Sequence, residues 1–247
     1  MATPTSIVVG IPGPWHDLAE LSSDIAAHSP GYALRASDLV HTADDQHYQL
    51  ELMERDPHLR NTFALANPSS FTPADLALID VHEQIAYLAG SGGSTKAACA
   101  MMHAAATLLQ AGGFAVKVET SGAAHSARDW LMQSERCPDH VGALYIAYVA
   151  LVSGKDAVYS CGMRNLGYPD AITSPTPNAG QALELLRGFL MGLLHDPLAE
   201  PLTVVSGQTT IGDGAGGRYR LDLESCQIYP PEDQFYNPSG MWRLTKL

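Results

Sequence analysis

Two neighbouring stretches decide how this chain folds: Gly90-Ser-Gly-Gly-Ser-Thr-Lys96 and Phe114-Ala-Val-Lys-Val-Glu119. The first is a glycine-rich entry to an alanine-rich helix, which we predict over residues 95–111. Ser94 is a good N-cap for this helix, and Gly112-Gly113 stands where a C-cap is expected. The second stretch alternates apolar and polar side chains, which is typical of a β-strand with one buried face. A strand therefore follows directly on a largely apolar helix.

Strands and helices mix along the rest of the chain, which predicts an α+β fold. The order strand, glycine turn, short Trp-bearing helix, two strands and longer helix occurs twice. We therefore predict one globular unit, 1–247, made of two ferredoxin-like halves, 6–112 and 113–247, with mixed or antiparallel sheets. The predicted strands are 6–11, 32–40, 47–53, 76–81, 114–119, 142–152, 157–163, 203–211 and 219–229. Besides 95–111, the predicted helices are 17–29, 126–134 and a leucine-rich helix capped by 175–178 and ended by 195–197.

The charge balance limits the choice of partners. Lys and Arg number 14, Asp and Glu 26, and the formal net charge is −12. An acidic protein repels a phosphate backbone and an anionic membrane surface, so we expect neither nucleic acid nor membrane as a partner. The N-terminal residues lack the basic, apolar pattern of a signal peptide, and the longest apolar run, 143–152, is too short to span a bilayer. We expect a cytoplasmic protein.

The four cysteines are Cys99, Cys137, Cys161 and Cys226. Their wide spacing gives no close pair typical of a zinc site and no dense disulfide framework. We therefore predict reduced thiols. No His-Glu-x-x-His signature is present either, so we predict no metal and no cofactor.

Lys96 lies in the first turn of the predicted helix, where the helix dipole disfavours a cation by about 0.3–1 kcal/mol. A bound anion would resolve this conflict, because free backbone N–H groups and a lysine together suit an anion. The alternative is that Lys96 points into water or pairs with a nearby carboxylate. The Gly-Lys-Ser/Thr order of a P-loop is absent, so nucleotide hydrolysis is not expected.

Glu119 ends its strand just before Ser121 and His125. A carboxylate and an imidazole close together can serve as base and acid, or as two metal ligands. The alternative is structural: His125 caps the next helix, and Glu119 pairs with Lys117 or Arg128.

Cys161 and Arg164 follow another predicted strand. Cys161 would act as a nucleophile only with a lowered pKa and a partner base such as His125; otherwise it is a buried structural thiol. Arg164 offers a planar fork suited to a carboxylate or another anion.

The segment Tyr159-Ser-Cys-Gly-Met-Arg-Asn-Leu-Gly-Tyr-Pro-Asp-Ala-Ile172, the leucine-rich helix after it and Ser206-Gly-Gln-Thr-Thr-Ile-Gly212 resemble a bacterial family defined as domain of unknown function number 4261. The stretches Gly112-Gly-Phe-Ala-Val-Lys-Val-Glu119 and Gly122-Ala-Ala-His-Ser126 resemble its strand and turn. The likeness covers residues 76–215. It implies a bacterial, cytoplasmic α+β protein and lends no catalytic residue. By analogy, families of this kind occur beside toxin genes, which implies a possible immunity role.

Three functions follow as hypotheses. The first is a non-catalytic binding protein for a small anion or a protein partner, with a site formed by Ser94, Lys96, Glu119, Ser121, His125 and Arg164. The second is a hydrolase or transferase that uses Glu119 and His125 for proton transfer. The third is an inhibitor of a basic toxin, for which complementary charge would speed association.

Overall fold

The computed structural model describes residues 5–174, 179–194, 206–207, 210–212 and 217–247. The strands in these residues are β1 (Ser6–Gly13), β2 (Tyr32–Arg35), β3 (Asp38–His41), β4 (Gln46–Glu54), β5 (Gln84–Ser91), β6 (Ala115–Val118), β7 (Ala124–Ser126), β8 (Ala150–Ser153), β9 (Val158–Cys161), β10 (Asp170–Thr173), β11 (Thr210–Gly212), β12 (Arg218–Glu224) and β13 (Met241–Lys246). The helices are α1 (Leu18–His28), α2 (Leu59–Ala66), α3 (Pro73–Asp80), α4 (Thr95–Gln110), α5 (Ala127–Arg136), α6 (Val141–Tyr148), α7 (Met163–Leu166) and α8 (Ala179–Leu194).

The first sheet has seven strands in the order β2-β3-β4-β5-β1-β6-β7. Each neighbouring pair is antiparallel. Ile7, Val9 and Ile11 of β1 are fully buried on one face, as the period of two requires of a central strand. α1 and α4 belong to the core on this face, whereas α2 and α3 cover the other face with a smaller cluster around Phe63 and Ile79. The strand that follows α4 therefore lies between two helical layers.

The second sheet has six strands in the order β11-β12-β13-β10-β9-β8. β10 and β13 are parallel and the other neighbours are antiparallel. α8 packs on β8, β9 and β10. The protein is thus α+β, with one antiparallel and one mixed sheet, as the sequence predicted at that level.

α4 lies at the centre of the main core. It contacts β1 and β5 of the first sheet and four other helices, α1, α5, α6 and α7. Its alanines allow this close approach: Ala98, Ala104 and Ala105 are fully buried, and the hydroxyl of Tyr148 in α6 donates to the carbonyl of Ala98 at 2.9 Å. The core continues from α4 to Ala171 of the second sheet. The prediction of a buried, alanine-rich helix is therefore confirmed.

One predicted strand is a helix, and a second is helical over most of its length. Residues 76–80 belong to α3 and Val81 is its C-cap; the helix begins at a capping box between Thr72 and Asp75 with Pro73 in the first turn. These signals outweigh the apolar run after them. Residues 142–152 divide into α6 and β8. An apolar run with no polar face does not distinguish a buried helix from a buried strand.

The predicted ferredoxin-like duplication is not confirmed. The predicted boundary between the two halves lies at 112/113. β6 and β7 come after this boundary, yet they belong to the first sheet. Among the strands that the structure describes, only those of the second sheet include a parallel pair, so the two sheets differ in polarity as well as in strand order. The predicted cap at 175–178, the helix stop at 195–197 and most of the predicted strand 203–211 lie outside the described residues. Among the described residues, no helix combines the length and apolar character needed to cross a bilayer.

Candidate functional site

The N-terminus of α4 opens onto a cavity. Ser94 caps the helix, because its side chain accepts a hydrogen bond from the N–H of Ala97 at 3.1 Å. The first intrahelical bond is donated by Ala98 to Ser94 O, so the N–H groups of Thr95 and Lys96 precede the hydrogen-bonded part of the helix. Lys96 is exposed, and its side chain lines the cavity.

This cavity, which we call the α4–α6 cavity, has a volume of about 880 Å³. It lies between the first half of α4, the end of α5, the turn at residues 137–140 and α6. Its charged and titratable lining comprises Lys96, Arg136, Asp139, His103 and His140, and its apolar lining includes Ala100, Leu144, Ile146 and Leu194.

The lining of the cavity is rich in cations for so acidic a protein. Arg136 is exposed in the last turn of α5. Among the described residues, neither Lys96 nor Arg136 has an ion-pair partner. Gln133 is 95% buried in the same lining, since only 5% of it is exposed, and its Oε1 has no hydrogen-bond partner in the described parts of the chain. The cavity thus contains unpaired cations and an unsatisfied acceptor.

A disulfide between Cys99 and Cys137 lies in the same lining. The prediction of reduced thiols is therefore wrong for this pair, whose Cα atoms are 5.7 Å apart, within the range a disulfide allows. The cysteines are 38 residues apart, and packing of α4 against α5 brings them together. Cys161 and Cys226 are free thiols.

His103 lies one helical turn after Cys99. Its Nε2 is 2.9 Å from the carbonyl oxygen of Ser134 and 3.6 Å from Sγ of Cys137. Only an N–H can donate to a carbonyl, so Nε2 carries the proton in this arrangement. Cys99, His103 and Cys137 have ligand atoms within 4.8 Å of one another.

Glu119 and His125 lie on opposite sides of the first sheet. His125 is the register partner of Val116, and directly paired residues point to the same face. Lys117 and Glu119 point to the other face, where Lys117 donates to Glu119 in an ion pair. The structure therefore does not bring the carboxylate and the imidazole together.

His125 has structural partners. It is 5% exposed, its Nε2 donates to the carbonyl of Ala147 at 3.0 Å, and its ring contacts Trp130. Burial lowers its pKa, since it disfavours the charged form of the ring. Ser126, and not His125, is the N-cap of α5. The hydrogen bond from His125 to Ala147 connects β7 to the end of α6.

Arg164 and Ser121 lie away from the α4–α6 cavity. Arg164 donates to the carbonyls of Gln234 and Tyr236 at 3.0 and 2.8 Å, which anchors the C-terminal segment. It lines a second cavity of about 400 Å³ together with Glu119. Ser121 is buried, and its hydroxyl accepts from the N–H of Ala123 at 3.3 Å. Of the six predicted site residues, only Lys96 lines the α4–α6 cavity.

One other candidate from the sequence, Cys161, has a structural role, and so does the buried His82. Cys161 is buried, and burial raises the pKa of its thiol far above the usual range, so it is not an activated nucleophile. His82 is buried as well; its Nδ1 donates to Ile79 O at 2.6 Å, and its Nε2 accepts from the N–H of Asp56 at 3.2 Å.

Sequence reasoning missed Arg136, His103, His140 and the Cys99–Cys137 pair. The signal was present as Cys-x-x-x-His at 99–103 and Cys-x-x-His at 137–140, spacings typical of residues that share one helical face or one turn.

Comparison of the chain with family models, with curated proteins and with solved structures finds no significant match.

Proposed function

We propose that this protein binds a small organic anion, a carboxylate or a phosphate ester with an apolar portion, in the α4–α6 cavity. The observation that carries the proposal is that Lys96 and Arg136, without ion-pair partners among the described residues, line one cavity of about 880 Å³. The volume lies within the range of small-molecule sites.

Charge supports an anion over a cation. Lys96 and Arg136 outnumber Asp139, the acidic residue of this lining, although the whole chain has a net charge of −12. The N-terminus of α4 adds partial positive charge and the unbonded N–H groups of its first turn. An anion near Lys96 would also remove the unfavourable interaction between this side chain and the helix dipole.

The remaining lining supports an organic ligand. Ala100, Leu144 and Ile146 give an apolar wall, which a bare inorganic ion would not contact favourably. Gln133 Oε1 is a buried acceptor without a partner, and leaving it unpaired costs about 1–3 kcal/mol. A ligand that carries a hydroxyl or N–H group beside its anionic group would satisfy it.

The other hypotheses have less support. A hydrolase or transferase that uses Glu119 and His125 requires the two groups to converge, and they lie on opposite faces of the first sheet. An inhibitor of a basic toxin is supported by net charge alone.

We further propose a ferredoxin-like unit within the first sheet. The order β4-β5-β1-β6, with α1 after β1 and α4 after β5, supports it, since a β-α-β-β-α-β chain gives such an order. The relationship to the bacterial family number 4261 also stays a proposal, supported by the quoted segments. A cytoplasmic location also stays a proposal: the free thiols Cys161 and Cys226 support it, whereas the Cys99–Cys137 disulfide counts against it.

Thermal unfolding against a set of ligands tests the proposed function. The set comprises benzoate, 4-bromobenzoate, 4-hydroxybenzoate, phenyl phosphate, inorganic phosphate and neutral benzamide. A ligand at about 100 times its Kd stabilises by about 2.7 kcal/mol, which raises the midpoint of a chain of this size by about 5–10 °C. We expect such a rise with at least one aromatic anion and none with benzamide.

The charge-matched variants decide where the anion binds. Lys96→Ala/Arg136→Ala should lose the rise, whereas Lys155→Ala/Arg60→Ala, which removes two exposed cations elsewhere, should keep it. Equal rises in both double variants, or no rise with any anion in the wild type, would contradict the proposal.

A further inference from the structure

Cys99, His103 and Cys137 form a compact set of metal-ligand atoms. Cys99 and His103 are four residues apart in α4, so they lie on one face of the helix. Cys137 is the C-cap residue of α5 and reaches the same point from the neighbouring helix. All three ligand atoms lie within 4.8 Å of one another, and all three residues line the α4–α6 cavity.

We propose that this set is a redox-controlled metal site: when the Cys99–Cys137 disulfide is reduced, the two thiolates and His103 bind a thiophilic divalent cation such as Zn²⁺. Oxidation to the disulfide removes both sulfur ligands and releases the ion. This inference goes beyond the proposed anion binding and does not rest on it.

The distances fit zinc. Zn–S bonds of about 2.3 Å and Zn–N bonds of about 2.0 Å at tetrahedral angles hold sulfur and nitrogen about 3.5 Å apart. Cys137 Sγ and His103 Nε2 are already 3.6 Å apart. Two zinc-bound sulfurs lie about 3.8 Å apart, a separation that rotation of the two side chains provides once the disulfide is broken.

His103 is held in place for this role. In the oxidised protein its Nε2–H donates to Ser134 O at 2.9 Å. A metal bound at Nε2 would take the place of that proton, and the hydrogen bond to Ser134 would be exchanged for a coordinate bond. Because Nε2 already lies 3.6 Å from Cys137 Sγ, the ring needs little movement.

The fourth ligand position would open towards the cavity. Three protein ligands with one open position are typical of catalytic zinc sites, whereas a fourth protein ligand closes a structural site. His140 and Asp139 line the same cavity and directly follow the Cys137-Pro138 turn. The variant His140→Ala separates the two arrangements: it should weaken Co²⁺ binding if His140 is the fourth ligand, and bind Co²⁺ as the wild type does if the fourth position is open.

The redox step balances with a dithiol as the reductant. Two electrons and two protons from the dithiol convert the Cys99–Cys137 disulfide into two thiols, and the dithiol becomes a disulfide. Zn²⁺ then displaces one proton from each thiol. In the reverse direction the two thiolates lose two electrons to a disulfide oxidant, which takes up two protons and becomes two thiols; the Cys99–Cys137 S–S bond forms and Zn²⁺ leaves.

The test is a Co²⁺ titration of the full chain, because Co²⁺ replaces Zn²⁺ in thiolate sites and gives a sulfur-to-cobalt charge-transfer absorption. The protein is reduced with a dithiol and freed of it anaerobically. We expect one Co²⁺ per chain with this absorption in the reduced protein, its displacement by Zn²⁺, and no such absorption in the oxidised protein. Circular dichroism confirms that the reduced protein is folded.

Variants assign the ligands. Cys99→Ser and Cys137→Ser should lose the charge-transfer band or weaken Co²⁺ binding by more than about 100-fold. A loss of about 100-fold is the largest expected when a residue that only hydrogen-bonds to a metal ligand is removed. His103→Ala removes the nitrogen ligand and leaves both cysteines in place; it should weaken Co²⁺ binding by at least about 10-fold, and circular dichroism of the reduced variant confirms that it is folded. The controls are Cys226→Ser, a free thiol, and His58→Ala, an exposed histidine, and both should bind as the wild type does.

The outcomes are distinct. Folded, reduced protein that binds neither Co²⁺ nor Zn²⁺ would overturn the proposal. So would binding that is equal in the reduced and oxidised forms, or that depends on Cys226 and not on Cys99 and Cys137. Because the readout is metal absorption, it is separate from the anion-dependent rise in midpoint.

Discussion

Asp170 provides a prediction whose size follows from the structure. Its carboxylate is 2% exposed at the start of β10. It accepts hydrogen bonds from the Ser160 hydroxyl at 2.8 Å, the Met163 N–H at 3.2 Å and the Asn237 amide at 2.7 Å. These bonds favour the charged form, but burial outweighs them and raises its pKa from 3.8 to about 6.

The rise in pKa sets both the sign and the size of a pH effect. The folded state binds the Asp170 proton more tightly than the unfolded state, so the associated stability is complete below pH 3.8 and is lost as the pH rises through about 6. A difference of about two pH units corresponds to about 3 kcal/mol. At neutral pH the protein is therefore less stable, by about 3 kcal/mol, than it would be with Asp170 protonated.

Asp170→Asn isolates this contribution, because an amide does not ionise. We expect the free energy of unfolding of the wild type, minus that of Asp170→Asn, to fall by about 2.5 kcal/mol between about pH 4 and about pH 7.5. Urea denaturation at a series of pH values measures both proteins. Asp156→Asn, in an exposed turn, controls for the loss of one negative charge.

Two results would refute the reasoning about Asp170. A difference that stays constant with pH would mean that folding does not perturb this carboxyl. A difference that rises with pH would mean that the bonds from Ser160, Met163 and Asn237 stabilise the charge more than burial destabilises it.

Three further substitutions should change the free energy of unfolding. Gly162→Ala should cost more than about 2 kcal/mol, because Gly162 has φ of 114° and an added Cβ would overlap the carbonyl oxygen of Tyr148; an unchanged urea midpoint would contradict this. Gly188→Ala, in open space inside α8, should instead stabilise by about 0.5–1 kcal/mol, and a loss of stability would show that the helix is not formed there. Cys137→Ser should lower the stability of the oxidised protein by about 4 kcal/mol, since the disulfide links residues 38 apart; a loss no larger than that of Cys226→Ser would mean that the disulfide contributes little.

Local signals in the sequence were sufficient to predict the central helix and the strand after it. Ser94 and the Gly112-Gly113 pair define α4, and the alternation in residues 114–119 defines β6. The same kind of signal misled where burial removes periodicity, as at 142–152. At α3 the apolar content alone suggested a strand, but the capping box formed by Thr72 and Asp75 favours a helix.

The candidate site required knowledge of long-range packing. Alternation within one strand places Glu119, but only the register between β6 and β7 shows that His125 faces the other way. Similarly, the 37 residues between Cys99 and Cys137 include the rest of α4, two strands and the helix α5, and no spacing rule specifies how these pack. Lys96 was found because its position conflicts with the helix dipole, which is a local property.

The most direct test of the central claim is a crystal structure of the protein with 4-bromobenzoate, whose bromine scatters X-rays anomalously. We predict an anomalous peak inside the α4–α6 cavity, with the carboxylate within hydrogen-bonding distance of Lys96 or Arg136 and the ring against Leu144 and Ile146. A bound molecule elsewhere, with the α4–α6 cavity free of ligand at saturating concentration, would contradict the claim that this cavity is the anion site.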